Sequence, residues 1–315
     1  MKIRSLLLIL TLCLSTLLSC DDNGSSDNNN SNNLTNNSSN NNNSNNLTNN
    51  SSNNNNSNNL TNNSSNNNNS NNNTLNPEET FTEDDAPVDL SHESRTFKSP
   101  WGYEKEANSS RLYPLLVSGM WGEGQSYYYQ QVDQDFPAFV IDYQYDGQSD
   151  GQALAQWIQS AVEAGFRIDT NRIYLTGFSR GGSGSFPLAK GMYDGGMYFA
   201  AIIRVAGQSQ SDLGNDIAEQ TAVWYHIGLN DTETRVQVAR DTLENMRNYD
   251  CNSSAAETED SDDITGHDRT TVTLTRNGYK MFVYSEYTGM GHDPGPCYTD
   301  QALFPWLFSH SLSFR

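Results

Sequence analysis

One serine in this chain sits in a setting that can turn its hydroxyl into a nucleophile. It lies in Gly177-Phe178-Ser179-Arg180-Gly181, entered from the apolar, partly β-branched run Ile173-Tyr174-Leu175. That run reads as a buried strand, and Gly182 to Lys190 continues as a helix. Strand, tight turn and helix are the context that a Gly-x-Ser-x-Gly elbow requires. Such a turn strains the serine backbone and crowds its neighbours, so glycines at positions 177 and 181 avoid Cβ clashes with the adjoining elements. The turn presents the hydroxyl above a sheet edge. It stands at a helix N-terminus whose dipole favours developing negative charge, a placement suited to attack on a carbonyl.

A serine hydroxyl is a poor nucleophile near neutral pH and needs an adjacent base, itself held by a third group. His226, His267, His292 and His310 follow Ser179 in the chain. His226 falls inside the apolar run Ala222 to Ile227 and reads as a core residue. His267 belongs to an acidic, irregular insertion from Glu257 to Asp268 and reads as solvated loop. His292 lies in Thr288-Gly289-Met290-Gly291-His292-Asp293, just after the last expected strand, where a glycine-flanked loop lets an imidazole reach back over the sheet edge. It is the preferred base. Asp293, adjacent to it in sequence, is poorly placed to orient its ring.

These groups need a scaffold. Leu115 to Ser118, Ala138 to Asp142, Ile173 to Thr176, Phe199 to Val205, Ala222 to Ile227 and Lys280 to Tyr284 read as strands. Between them, Leu154, Trp157, Ile158 and Val162 share one helix face within Gln152 to Ala164. Val236, Ala239, Leu243 and Met246 share another, on a helix ending near Tyr249. Strands alternating with helices imply a mostly parallel sheet covered on both faces, with reactive side chains beyond the carboxyl ends of the strands.

The eleven residues Arg167-Ile168-Asp169-Thr170-Asn171-Arg172-Ile173-Tyr174-Leu175-Thr176-Gly177 closely resemble the lead-in to the elbow in secreted α/β-hydrolase esterases. That group includes feruloyl and acetyl-xylan esterases, polyhydroxybutyrate-depolymerase-like enzymes and "predicted peptidases". Tyr103 to Val117 opens the domain in the same style, and the resemblance runs from about Trp101 to the C-terminus. It implies an α/β-hydrolase fold and a chain order of Ser, acid, His. No Walker pattern, Rossmann fingerprint or metal-ligand cluster competes in the sequence, so no cofactor and no metal is expected. His292 then takes the family's catalytic position, followed by a Trp-containing terminal helix at Phe304-Pro305-Trp306-Leu307-Phe308. His226-Ile227-Gly228-Leu229-Asn230-Asp231 is similar to the family's His-Gly-x-x-Asp strand ending, with Ile227 inserted. Asp231 thereby matches the orienting carboxylate, with Glu233 a nearby competitor and an Asx turn the structural alternative.

An oxyanion hole needs two backbone N–H groups. Arg180, following the nucleophile, supplies one. The second is expected from the loop after Ser118, at Met120 or Trp121. There the chain departs from the family: Gly119-Met120-Trp121-Gly122-Glu123-Gly124 stands where relatives carry Leu-His-Gly-x-Gly. The implied activity is hydrolysis of carboxylic esters, carbohydrate-linked ones among them. The same triad serves a peptidase or a polyester depolymerase, and the changed loop also suits a non-catalytic surface lipoprotein. Trp101, Trp121 and Tyr127 to Tyr129 can line a sugar or phenolic pocket, or belong to core or rim.

The ends of the chain supply a location. Residues 1–19 carry Lys2 and Arg4, then an apolar run too short to span a bilayer, which reads as a signal peptide. Leu17-Leu18-Ser19-Cys20 resembles the bacterial lipobox, implying cleavage before Cys20 and its lipidation. Residues 20–88 are dominated by Asn and Ser, with a thirteen-residue repeat from Ser31, Ser44 and Ser57 that holds one Leu per unit. Such a segment buries too little surface to offset its ordering entropy and should stay disordered, as a tether to a membrane. Residues 89–315 suit one α/β domain. With 18 basic against 38 acidic residues, a net charge of −20 argues against nucleic acid and against electrostatic docking to anionic lipid. Of four cysteines, Cys251 and Cys297 remain in the domain, and in an exported protein a disulfide between them is the expectation.

Overall fold

The computed structural model describes residues 80–120 and 122–314, all within one compact unit. The leader, Cys20, the repeats and Trp121 lie outside the described residues. Packing begins at Phe81, whose ring meets Trp101 at 5.8 Å. Asp85 follows, pairing with Lys105 at 3.0 Å.

Ten strands form one sheet: β1 (Asp89–His92), β2 (Arg95–Lys98), β3 (Tyr113–Gly119), β4 (Phe139–Tyr143), β5 (Ile168–Phe178), β6 (Ala201–Val205), β7 (Ala222–Gly228), β8 (Ala256–Ile264), β9 (His267–Arg276) and β10 (Tyr279–Tyr287). Their order is β1-β2-β4-β3-β5-β6-β7-β10-β9-β8. The six central strands, β4-β3-β5-β6-β7-β10, run parallel, while β1, β2, β8 and β9 pair antiparallel at the edges. The six parallel strands are those expected from the apolar runs. Strands β3, β6 and β7 are buried at every residue, which is why they read as continuous apolar stretches rather than alternating ones.

Helices cover both faces: α1 (Glu123–Gln131), α2 (Gln148–Glu163), α3 (Arg180–Asp194), α4 (Asn215–Gln220), α5 (Glu233–Asn248), α6 (Gly295–Tyr298) and α7 (Leu303–Phe308). On β5, Thr176 hydrogen-bonds with Tyr298 of α6 at 2.7 Å. Tyr174 donates to the His310 carbonyl beyond α7 at 2.7 Å, while Gly177, on the opposite face, abuts α3. This is the α/β-hydrolase fold, with the chain leaving β3 for β4 on one side and returning to β5 on the other. The carboxyl ends of β3 and β5 therefore form the switch point where such sheets place their sites.

Two expectations are corrected here. Residues 257–268 are not an irregular insertion: β8 and β9 form a hairpin closed by Thr265 and Gly266, both at positive φ (50° and 82°). That geometry matches the twist of the flanking strands. The Asp260–Asp263 run lies along the exposed edge strand β8.

Among the described residues the two cysteines, Cys251 and Cys297, are free thiols, not a disulfide. The Cys251 carbonyl accepts from Arg276, which pairs with Tyr279 at the start of β10, and the Cys297 thiol hydrogen-bonds with Tyr287 at its end. Those two anchors lie eight positions apart along the strand, roughly 26 Å at the usual rise per residue. A disulfide needs Cα atoms within about 7 Å.

Candidate active site

The elbow owes its shape to what surrounds it. Ser179 has φ 54° and ψ −111°, a strained conformation for a residue with a side chain. Its N–H donates to the Val205 carbonyl at 2.9 Å, and its carbonyl accepts from Ser183 Oγ at 3.0 Å, fixing the β5–α3 turn against the end of β6. A Cβ on Gly181 would stand 3.1 Å from the Gly119 oxygen and 3.7 Å from Met120 Cβ, so the β3–α1 loop lies directly against the elbow. Tyr145, 3% exposed, is wedged between them and donates to the Gly181 carbonyl at 2.6 Å.

Three expected residues meet at the carboxyl edge of the sheet. His292 Nε2 lies 2.9 Å from Ser179 Oγ, and His292 Nδ1 lies 2.6 Å from Asp231 Oδ2. The carboxylate can only accept, so Nδ1 carries the proton and Nε2 is left to accept from the serine hydroxyl. Asp231 is 1% exposed, whereas the His292 side chain keeps a third of its surface. The Asn230 N–H donates to the Met290 carbonyl at 2.9 Å, so the loop after β7 carrying Asp231 is tied to the loop after β10 carrying His292. The ring of Phe178 lies 4.6 Å from the imidazole and backs it.

The competitors are elsewhere. Asp293 accepts from the Gly295 N–H at 2.8 Å, and Glu233 opens α5. His267, at the hairpin turn, hydrogen-bonds with the Thr288 carbonyl at 3.1 Å. His226 is fully buried, 2.9 Å from the Tyr287 hydroxyl and 5.0 Å from the Trp224 ring; burial pushes its imidazole well below the usual range. His310 is buried near the C-terminus.

For a developing oxyanion, Arg180 offers the first N–H of α3, which has no intrahelical acceptor. Met120 caps β3 at φ 27° beside Gly181, while Trp121 lies outside the described residues. The Arg180 side chain turns away to pair with Asp146. Among the described residues no cluster of His, Cys, Asp and Glu could hold a metal. Of the aromatic candidates, Tyr128 is core, Tyr127 stacks on Tyr298, Tyr129 is partly buried, and Trp101 donates to Asp133.

The partners of the second Asp231 oxygen were not among the residues expected from the sequence. Asp231 Oδ1 accepts from the Thr232 N–H at 2.6 Å and from Arg235 Nη1 at 3.0 Å. The signal was present: Arg235 follows Asp231 by four residues, the spacing of helical neighbours.

No family model matches the chain, and no curated protein matches it. Among solved structures it is similar to a thermostable esterase at 18% identity, covering 72% of this chain and 63% of that one, with a TM-score of 0.47. It therefore spans less than two thirds of that esterase's length. It is also similar to acetyl xylan esterase from Aspergillus awamori (15% identity, 70% and 99% covered, TM-score 0.45). A third is dipeptidyl peptidase 4 of Porphyromonas gingivalis (15%, 71% and 35%, 0.42). At 15–18% identity these likenesses say nothing of substrate.

Proposed function

We propose that this protein is an exported, lipid-anchored serine hydrolase that cleaves carboxylic esters, carbohydrate-linked esters among them. The observation that carries the reading is the continuous line Asp231–His292–Ser179, at 2.6 and 2.9 Å, ending on a serine at positive φ.

In this reading Ser179 Oγ attacks the ester carbonyl while His292 Nε2 takes its proton, and Asp231 steadies the imidazolium through Nδ1–H. The oxyanion formed at the carbonyl is held by the N–H of Arg180 and a donor from the β3–α1 loop, Met120 or Trp121. Collapse breaks the C–O bond, and His292 returns the proton to the departing alcohol, leaving an acyl-serine. Water then attacks the acyl carbon, giving its proton to His292. The acid is released as Ser179 regains its proton.

Peptides and polyesters undergo the same steps, and the changed oxyanion loop leaves a binding-only role as the reading from another class. The anchor rests on the lipobox-like Leu17-Leu18-Ser19-Cys20. Among the described residues no helix is long and apolar enough to cross a membrane. The test is a panel of aryl, acetyl-sugar, hydroxycinnamoyl, polyester and peptide substrates, run on the whole protein and on Ser179→Ala. Turnover of esters that the variant loses supports the reading. Turnover retained by Ser179→Ala, or seen with peptides alone, overturns it.

A further inference from the structure

Hydrogen bonds around the site close into a ring. Starting at the nucleophile, Ser179 Oγ meets His292, which meets Asp231, whose Oδ1 accepts from Arg235 Nη1 at 3.0 Å. Arg235 Nη2 donates to Gln208 Oε1 at 2.9 Å; the Gln208 N–H donates to Ser183 Oγ at 2.8 Å; and Ser183 Oγ donates to the Ser179 carbonyl at 3.0 Å. Six residues from four segments thus return to the residue where the ring began. The loop after β7, the loop after β6, the first turn of α3 and the loop after β10 are all joined through it.

From this ring we infer that Arg235 is a positioning residue of the proposed catalytic site, acting through Asp231 and braced against the elbow by Gln208. The inference deepens the hydrolase reading and rests on it. A free carboxylate can swing its two oxygens between donors. Here Oδ1 is held by the Thr232 N–H and the Arg235 guanidinium, so Oδ2 is the oxygen left for His292. A guanidinium is suited to this because its planar fork reaches two acceptors at once, Asp231 and Gln208, in one fixed geometry. The Arg235 side chain is 17% exposed, so solvent screens it only in part.

The charge has a second effect. A cation one residue removed from the base opposes formation of the imidazolium. Other charges around the base are Asp231 from the β7 loop, Asp293 next along its own loop and, at the start of α3, the Arg180–Asp146 pair. Arg235 is the cation in direct contact with Asp231. Removing its positive charge favours the protonated imidazole, so the base stays protonated to higher pH and the acid limb of kcat/KM moves up. The brace and the charge are therefore separable.

Three variants of the whole protein separate them, with kcat and the pH profile of kcat/KM as readouts on an activated aryl ester. Arg235→Met removes brace and charge: kcat falls about tenfold and the acid limb moves up. Arg235→Lys keeps the charge but cannot span both acceptors, so kcat falls while the limb stays. Gln208→Leu breaks the link to the elbow with Arg235 intact, giving a smaller fall in kcat and no movement of the limb; it reads the same ring should Arg235→Met fail to fold. Labelling of Ser179 by a fluorophosphonate is run alongside. Labelled wild type with all three variants keeping wild-type kcat and profile overturns the positioning role alone. A parallel loss of folded protein with unchanged kcat per folded molecule also overturns it. Wild type unlabelled at Ser179 overturns the hydrolase reading and the inference with it.

Discussion

A Cβ placed on Gly177 would stand 2.6 Å from both the carbonyl carbon and the carbonyl oxygen of Gly181, closer than real Cβ atoms come to backbone. The end of β5 and the first turn of α3 can approach this closely only because Gly177 carries no side chain, and that approach sets Ser179 at its edge. Gly177→Ala must push strand and helix apart, at about 1–3 kcal/mol by the usual cost of overpacking. Gly291, one residue before His292, has open space around its would-be Cβ, so Gly291→Ala should change stability by less than about 0.5 kcal/mol. Urea denaturation compares them. Equal midpoints for Gly177→Ala and wild type would mean the elbow is not held this tightly.

His226 predicts a pH dependence of stability. Burial, with Arg269 contributing, holds its imidazole well below the ordinary value of 6.5, so the folded protein keeps it neutral in mild acid. The unfolded chain takes up a proton below about pH 6.5. Below that pH the unfolded state therefore binds more protons than the folded one. Stability is full above about pH 6.5 and falls as pH drops, with a slope of up to about 1.4 kcal/mol per unit from this one group. Urea midpoints between pH 7 and 5 measure it. His226→Phe should show a shallower decline than wild type, and an identical slope would assign the dependence to other groups.

The two domain cysteines should alkylate fully after unfolding without reductant. Cys251 is partly exposed and Cys297 fully buried, and burial pushes both thiols up. In the folded protein Cys251 should therefore react slowly and Cys297 not at all, with dithiothreitol leaving the melting temperature unchanged. A reductant-dependent fall in melting temperature would put a disulfide back into the domain.

The parallel core was legible in the sequence because each of its strands is an apolar run, and the elbow because its glycines are sterically forced. Strand β8 was not: Ala256-Glu257-Thr258-Glu259-Asp260-Ser261-Asp262-Asp263-Ile264 is exposed on both faces and lacks the alternation that marks a half-buried strand. Its partner β9 did carry a signal, the β-branched stretch Thr270 to Thr275, which its acidic neighbour obscured. Ser179 and His292 were readable from local patterns and Asp231 from the family resemblance, and the structure brings the three within hydrogen-bonding distance. The cysteine pairing failed because export context says nothing of where β10 places its two ends. Arg235 and Gln208 escaped notice because their link joins the segments after β6 and β7, a contact that exists only once the strands lie side by side.

The central claim is that Ser179 is a nucleophile activated by His292. The most direct measurement treats the whole protein with a fluorophosphonate and locates the adduct by peptide mass spectrometry, in wild type and in His292→Ala. One adduct is expected, on Ser179, formed at a rate that His292→Ala lowers by several orders of magnitude. An adduct on another serine, no adduct at all, or labelling of Ser179 that is indifferent to His292 would contradict it.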